Sequence, residues 1–131
     1  HVEQAVTGHR SFSIQARALG CFPHRSRPRL LWMGLHDSEG TLAHLQQCIE
    51  SALQPAGFVP EQRPFHPHLT LARTVQAQRK EPLVSVLRMY SERFFGDFPV
   101  THVQVFQSHL HRQGAVYTVL QTIPLFGSHY D

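Results

Sequence analysis

An α+β fold is predicted for this 131-residue chain. Three observations carry that prediction. Strand-like stretches outnumber helical ones. They do not alternate strictly with helices, as a doubly wound parallel sheet would require. The last third reads as two strands joined by a short loop, so an antiparallel-rich sheet with helices packed on it fits best. The length suffices for one domain with a real core, and 1–131 is read as a single domain.

The elements follow in order. Phe12, Ile14, Ala16 and Ala18 alternate with Ser13, Gln15 and Arg17, the period of a half-buried strand, and Gly20 is read as its end. Pro23 to Pro28 is a basic loop. Arg29 to Leu35 is a nearly continuous apolar run of strand length, predicting a more buried strand. Leu42, Leu45, Ile49 and Leu53 fall at helical spacing from Thr41 to Gln54, and Pro55 and Gly57 stop that helix. A Pro-rich lead from Pro60 to Pro67 enters a strand at His68 to Thr74. A second helix is predicted from about Pro82 to Phe94, with Pro82 in its first turn. Strands at about Val100 to Ser108 and Ala115 to Ile123 form a closing hairpin around Gly114.

The composition narrows the class. The chain is 41% hydrophobic and 16% charged, which excludes a disordered segment. No apolar run approaches the roughly 20 residues of a membrane span. The net charge of +3 favours an anionic ligand without identifying a nucleic-acid binder. Cys21 and Cys48 lack metal-type spacing and read as reduced thiols of a cytoplasmic protein. The start, His1-Val2-Glu3-Gln4, shows neither a signal pattern nor an initiator Met, and reads as a chain that begins partway through something.

The chemistry concentrates in Arg63-Pro64-Phe65-His66-Pro67-His68-Leu69-Thr70-Leu71-Ala72-Arg73. Residues two apart on a strand share a face. His68 and Thr70 therefore stand together, with Leu69 and Leu71 on the other side. Ala72 is small and leaves room for a ligand. Arg73 has the parity of the leucines and reaches the same ligand only if the strand bends or ends. An imidazole moves protons, a hydroxyl donates to a phosphoryl oxygen, and a guanidinium forks onto the same group. Phosphoryl chemistry needs mostly positioning and charge stabilisation, so this trio suits a phosphate without a metal or other cofactor.

RPFHPHLTLAR resembles the second signature of the two-histidine phosphoesterases, and most closely that of the RNA 2′,3′-cyclic phosphodiesterase branch, historically called 2′–5′ RNA ligases. GCFPHRSRPRLLWMGL resembles that family's strand-loop-strand before its middle helix. FGDFPVTHVQVFQSHLHRQGAVYTVLQTIPL resembles its closing hairpin. The resemblance implies a two-lobed fold, with antiparallel-rich sheets around a cleft and helices outside. It implies His68 as one of two catalytic histidines, Thr70 as a phosphate donor, Arg73 as a phosphate clamp, and no metal. It implies hydrolysis of RNA 2′,3′-cyclic phosphate ends to 2′-phosphomonoesters, with 2′–5′ joining in some members. RNA ends or cyclic nucleotides are the implied partners, with no membrane and no obligate protein partner.

One departure stands out. The family's earlier His-x-Thr is absent, and His9-Arg10-Ser11 lacks the apolar strand around it. The opening residues His1 to Val6 resemble the end of the helix after that first motif. The expectation is an N-terminally truncated domain, weak or inactive because one catalytic histidine is missing. Two rivals remain: an RNA- or nucleotide-end binder without turnover, and a metal-dependent phosphoesterase using His66 and His68 with His109 and His111. Phe65 is a candidate stacking surface for a base. Arg25, Arg27 and Arg29 are candidate phosphate contacts or a solvated loop. Trp32 and Phe106 are expected in the core. Ser108 and Tyr117 match recurring family positions without an assignable role.

Overall fold

The structure, a computed structural model, describes residues 1–22, 29–73 and 81–127. The expected basic loop with Arg25 and Arg27, and the segment 74–80, lie outside the described residues. The order is α1 (Val2–Val6), β1 (Phe12–Phe22), β2 (Leu30–His36), α2 (Thr41–Leu53), a 3-10 turn (Gln54–Ala56), β3 (His68–Arg73), α3 (Glu81–Met89), β4 (Phe94–Val100), β5 (His102–His111) and β6 (Gly114–Pro124). The α+β reading holds, and the pairs β1–β2, β2–β3 and β5–β6 are all antiparallel. The chain divides into two compact units. The first comprises His1–Phe12, Gly40–Arg63 and Pro99–Asp131; the second comprises Ser13–Glu39 and Pro64–Phe98.

The first unit centres on Val6, Leu45, Ile123 and Leu125, each no more than 3% exposed. Helix α2 contributes Leu45 and Ile49 from its apolar stripe, and Val103 and Val105 pack there from the root of the hairpin. Burying each such aliphatic side chain contributes roughly 1.5–3 kcal/mol. His111 pairs with Gly114 across a two-residue turn, and Gly114 takes a positive φ of 126° that an L side chain rarely adopts.

The second unit is a four-stranded sheet in the order β3-β2-β1-β4, with α3 beside it. Its buried apolar residues are Ile14, Leu19 and Leu87. Strand β1 does not end at Gly20, as expected, but continues to Phe22. A Cβ on Gly20 would lie 2.2 Å from Cζ2 of Trp32, so glycine makes room for the indole. The alternation also breaks once. The β1–β2 register shifts between Arg17 and Leu19, Ala18 sits at φ 71°, and Leu19 rather than Ala18 turns inward. Such a bulge re-aims every later side chain. It is held by Ala18 N–H donating to the Arg93 carbonyl at 2.8 Å and Leu19 N–H donating to the Tyr90 carbonyl at 3.2 Å.

The second helix also differs from expectation. It stops at Met89, and Phe94, read as its last apolar residue, opens strand β4. The aromatic, strand-favouring run Phe94, Phe95 and Phe98 outweighs the helical spacing. Pro99 is tolerated because β4 lies at the edge of the sheet.

Candidate functional site

The site is built on β3 and the residues just before it. Pro67 restrains His66 to an extended backbone, and the Pro67 carbonyl accepts the Leu35 N–H at 3.2 Å. The entry to β3 is thereby tied to β2. The register then sets His68 opposite Gly34 and Thr70 opposite Trp32. Directly paired residues share a sheet face, so His68, Thr70 and Trp32 stand together, with Leu69 and Met33 on the other side. The parity expected for His68 and Thr70 is thus present.

Arg73 joins that face by a route the spacing did not reveal. The β2–β3 register shifts between Leu31 and Trp32: Trp32 pairs with Thr70, Leu31 with Ala72, and Leu30 with Arg73. Leu71 is the extra residue of a bulge. Leu30 and Trp32 are two apart on β2 and share a face, so their partners Arg73 and Thr70 share it too. The bend on which Arg73 depended is therefore inside the strand rather than beyond its end. All six residues of β3 are exposed.

The tautomer of His68 is set locally. Its Nδ1 lies 2.6 Å from the His66 carbonyl oxygen. A carbonyl only accepts, so the hydrogen is on Nδ1 and Nε2 is the nitrogen left free of it in the neutral ring. Nε2 is a base when the ring is neutral and an acid when it is imidazolium. Three rings gather around this residue, those of Phe22, Trp32 and His66. Trp32 meets His66 edge-on with centroids 4.5 Å apart, and Phe22 meets His66 and His68 at 5.3 and 5.4 Å. Edge-to-face contacts of this kind contribute about 0.5–1.5 kcal/mol each beyond burial, and they restrain the imidazole.

Trp32 is therefore not a plain core residue. It is half-buried, and its indole backs the two histidines. Its place was legible in retrospect from Gly20, the gap it fills on β1. Phe106, also expected in the core, is 50% exposed on β5 and makes an edge contact with Tyr117. Phe65 is 43% exposed and stands outside the four-ring group. Arg29 is exposed, and its N–H donates to the Phe22 carbonyl at 2.8 Å. Among the described residues, the potential metal ligands that converge in a group of three are His9, His44 and Cys48, not the His66–His68 pair.

Comparison with known proteins agrees with this architecture. The family described as the 2′-5′ RNA ligase superfamily matches residues 1–112. An RNA 2′,3′-cyclic phosphodiesterase of Aeropyrum pernix is 38% identical over 112 residues, covering 86% of this chain and 64% of that protein. One of Aquifex aeolicus is 32% identical over 117 residues, covering 88% and 62%. The chain thus spans less than two thirds of the length of these relatives. A solved structure from Thermus thermophilus superposes with a TM-score of 0.69 at 28% identity, covering 97% of this chain and 67% of that one. Escherichia coli LigT complexed with 3′-AMP superposes with the same TM-score, 0.69, at 24% identity, covering 95% and 65%. No described helix is long and apolar enough to cross a membrane.

Proposed function

The chain belongs to the 2′-5′ RNA ligase superfamily, and from that premise we propose that its β3 face opens 2′,3′-cyclic phosphates at RNA ends to give 2′-phosphomonoesters. One observation carries the reading above all. His68 holds its Nδ1 hydrogen on a carbonyl, which leaves Nε2 free of it, and stands on the face that the register shares with Thr70 and Arg73.

The chemistry follows from those groups. Water adds to phosphorus and the bond from phosphorus to O3′ breaks, with the proton of water lost and O3′ gaining one. His68 Nε2 takes the first proton as neutral imidazole or gives the second as imidazolium. Thr70 donates a hydrogen bond to a non-bridging oxygen, and Arg73 spreads its fork over the developing charge. Phe65 offers a ring for a terminal base. No step of this scheme calls on a metal.

The sequence holds one His-x-Thr, at His68 and Thr70. An acid/base catalyst of this kind contributes about 10²–10⁴-fold to the rate. The second reading is an end-binding module without turnover, which would use the same exposed β3 face. The test is cleavage of an RNA ending in a 2′,3′-cyclic phosphate by the protein as encoded. A 2′-phosphate product that His68→Ala abolishes supports hydrolysis. Saturable binding of the 2′-phosphate end with no product supports the binder. Full activity in His68→Ala overturns both.

A further inference from the structure

The first unit carries a second group of chemically competent side chains. His9, His44 and Cys48 each offer one ligand atom, and these atoms lie within 4.8 Å of one another. His44 and Cys48 are four apart on α2 and leave the same face of the helix. His44 Nε2 and Cys48 Sγ are 3.7 Å apart. Neighbouring ligands on a tetrahedral zinc ion, at about 2.1 Å for nitrogen and about 2.3 Å for sulfur, are about 3.6 Å apart. The pair therefore already has a metal-ligand separation.

His9 arrives from the segment before β1, and its backbone is fixed. Its N–H donates to the Val6 carbonyl at 3.1 Å, and its carbonyl accepts the Phe126 N–H at 2.7 Å. The His9 and His44 rings stand 5.5 Å apart at 48°, neither stacked nor splayed. His9 and Cys48 are half-buried, and His44 is exposed, so the His44 ring can turn to close the set while the other two hold their places.

We infer that His9, His44 and Cys48 bind a divalent thiophilic cation, zinc being the best match, with water in the fourth position. The donor set makes the choice. Two imidazoles and a thiolate suit zinc, whereas magnesium and calcium want carboxylate and carbonyl oxygen, which this group lacks. On binding, Cys48 releases its proton to solvent and both histidines coordinate as neutral rings. The ion clips the segment before β1 to α2 and stabilises the folded first unit by mass action. The inference is independent of the phosphoesterase reading, because none of the three residues belongs to the β3 face.

Cobalt(II) titration of the metal-free protein tests it. One equivalent should saturate a thiolate-to-cobalt charge-transfer band together with the visible bands of a tetrahedral ion, and zinc should displace it. Cys48→Ser should abolish the charge-transfer band. His9→Ala and His44→Ala should each weaken affinity by at least about tenfold. Cys21→Ser should change nothing. Zinc should raise the melting temperature of the unmodified protein and leave that of Cys48→Ser unmoved. Far-ultraviolet circular dichroism of each metal-free variant separates loss of a ligand from loss of fold. Failure to bind one equivalent, or a band that survives Cys48→Ser in a folded protein, overturns the proposal.

Discussion

The four-stranded sheet and the β5–β6 hairpin start from the same local pattern and end differently. Both are antiparallel, and both alternate along their strands. In the sheet, β1 and β2 each have a neighbour on either side, and Ile14 and Leu19 are 3% and 8% exposed. In the hairpin each strand has one partner among the described residues, and Leu110 and Tyr117 stand 88% and 63% exposed. Only its root is covered, where Val103, Val105 and Ile123 meet the first unit's core. Alternation decides which residues share a face, and the neighbours decide whether that face is covered. The bulges differ in consequence as well. The β2–β3 bulge brings Arg73 to the face of Thr70. The hairpin's irregularity between Val105 and Phe106 marks where the core-packed root gives way to the exposed tip.

The largest contrast is chemical. His68 and His109 are both exposed strand histidines, one on the sheet and one on the hairpin. His68→Ala should slow cleavage of a cyclic-phosphate end by about 10²–10⁴-fold, whereas His109→Ala should leave the rate within about twofold, as expected of a surface substitution. Equal losses in the two variants would break the assignment of chemistry to the sheet. Packing gives the next contrast. Leu87 is fully buried in the second unit and Leu120 is 59% exposed on β6. Leu87→Ala should cost about 2–5 kcal/mol in denaturant unfolding, and Leu120→Ala under about 0.5 kcal/mol.

Smaller effects sharpen the account of the bulges. Ala18 holds a left-handed φ of 71°, so Ala18→Gly should raise stability by about 1 kcal/mol. Gly114→Ala at the hairpin turn should lower it by a similar amount. The smallest effect lies at Glu61. Its side-chain hydrogen bond from Arg63, then the backbone bond and the charge of the same residue, holds its carboxyl below the usual carboxylate range. A lowered folded-state value stabilises the fold above the ordinary carboxylate range, and that stabilisation is lost as pH falls through the lowered value. The pair is exposed and screened by salt, so Glu61→Gln should alter only the acid limb of the stability–pH curve, and only slightly.

Much of the site was legible because it is local. His68 and Thr70 are two apart, and period two alone sets them on one face. Arg73 was legible as a candidate but its direction was not, because that depends on which β2 residue faces which β3 residue, and that pairing is not a property of β3. Gly20 read as a terminator because glycine usually punctuates strands, whereas here it clears space for a side chain on the neighbouring strand. Phe94 fell at helical spacing by coincidence, and the Phe-rich run behind it decided for β4. His44 and Cys48 carry a readable four-residue spacing, but their partner His9 lies 35 positions before His44, and no periodicity links them.

The proposed chemistry requires that His68 keep its hydrogen on Nδ1 and offer Nε2 to a phosphate bound at β3. Nitrogen-15 NMR of the imidazole rings, with and without adenosine 2′-monophosphate, tests it without requiring turnover. Neutral His68 should show the Nδ1–H tautomer, and the nucleotide should shift its Nε2 resonance more than those of His109 and His111. An Nε2–H tautomer, or a His68 ring indifferent to saturating nucleotide, would contradict the account.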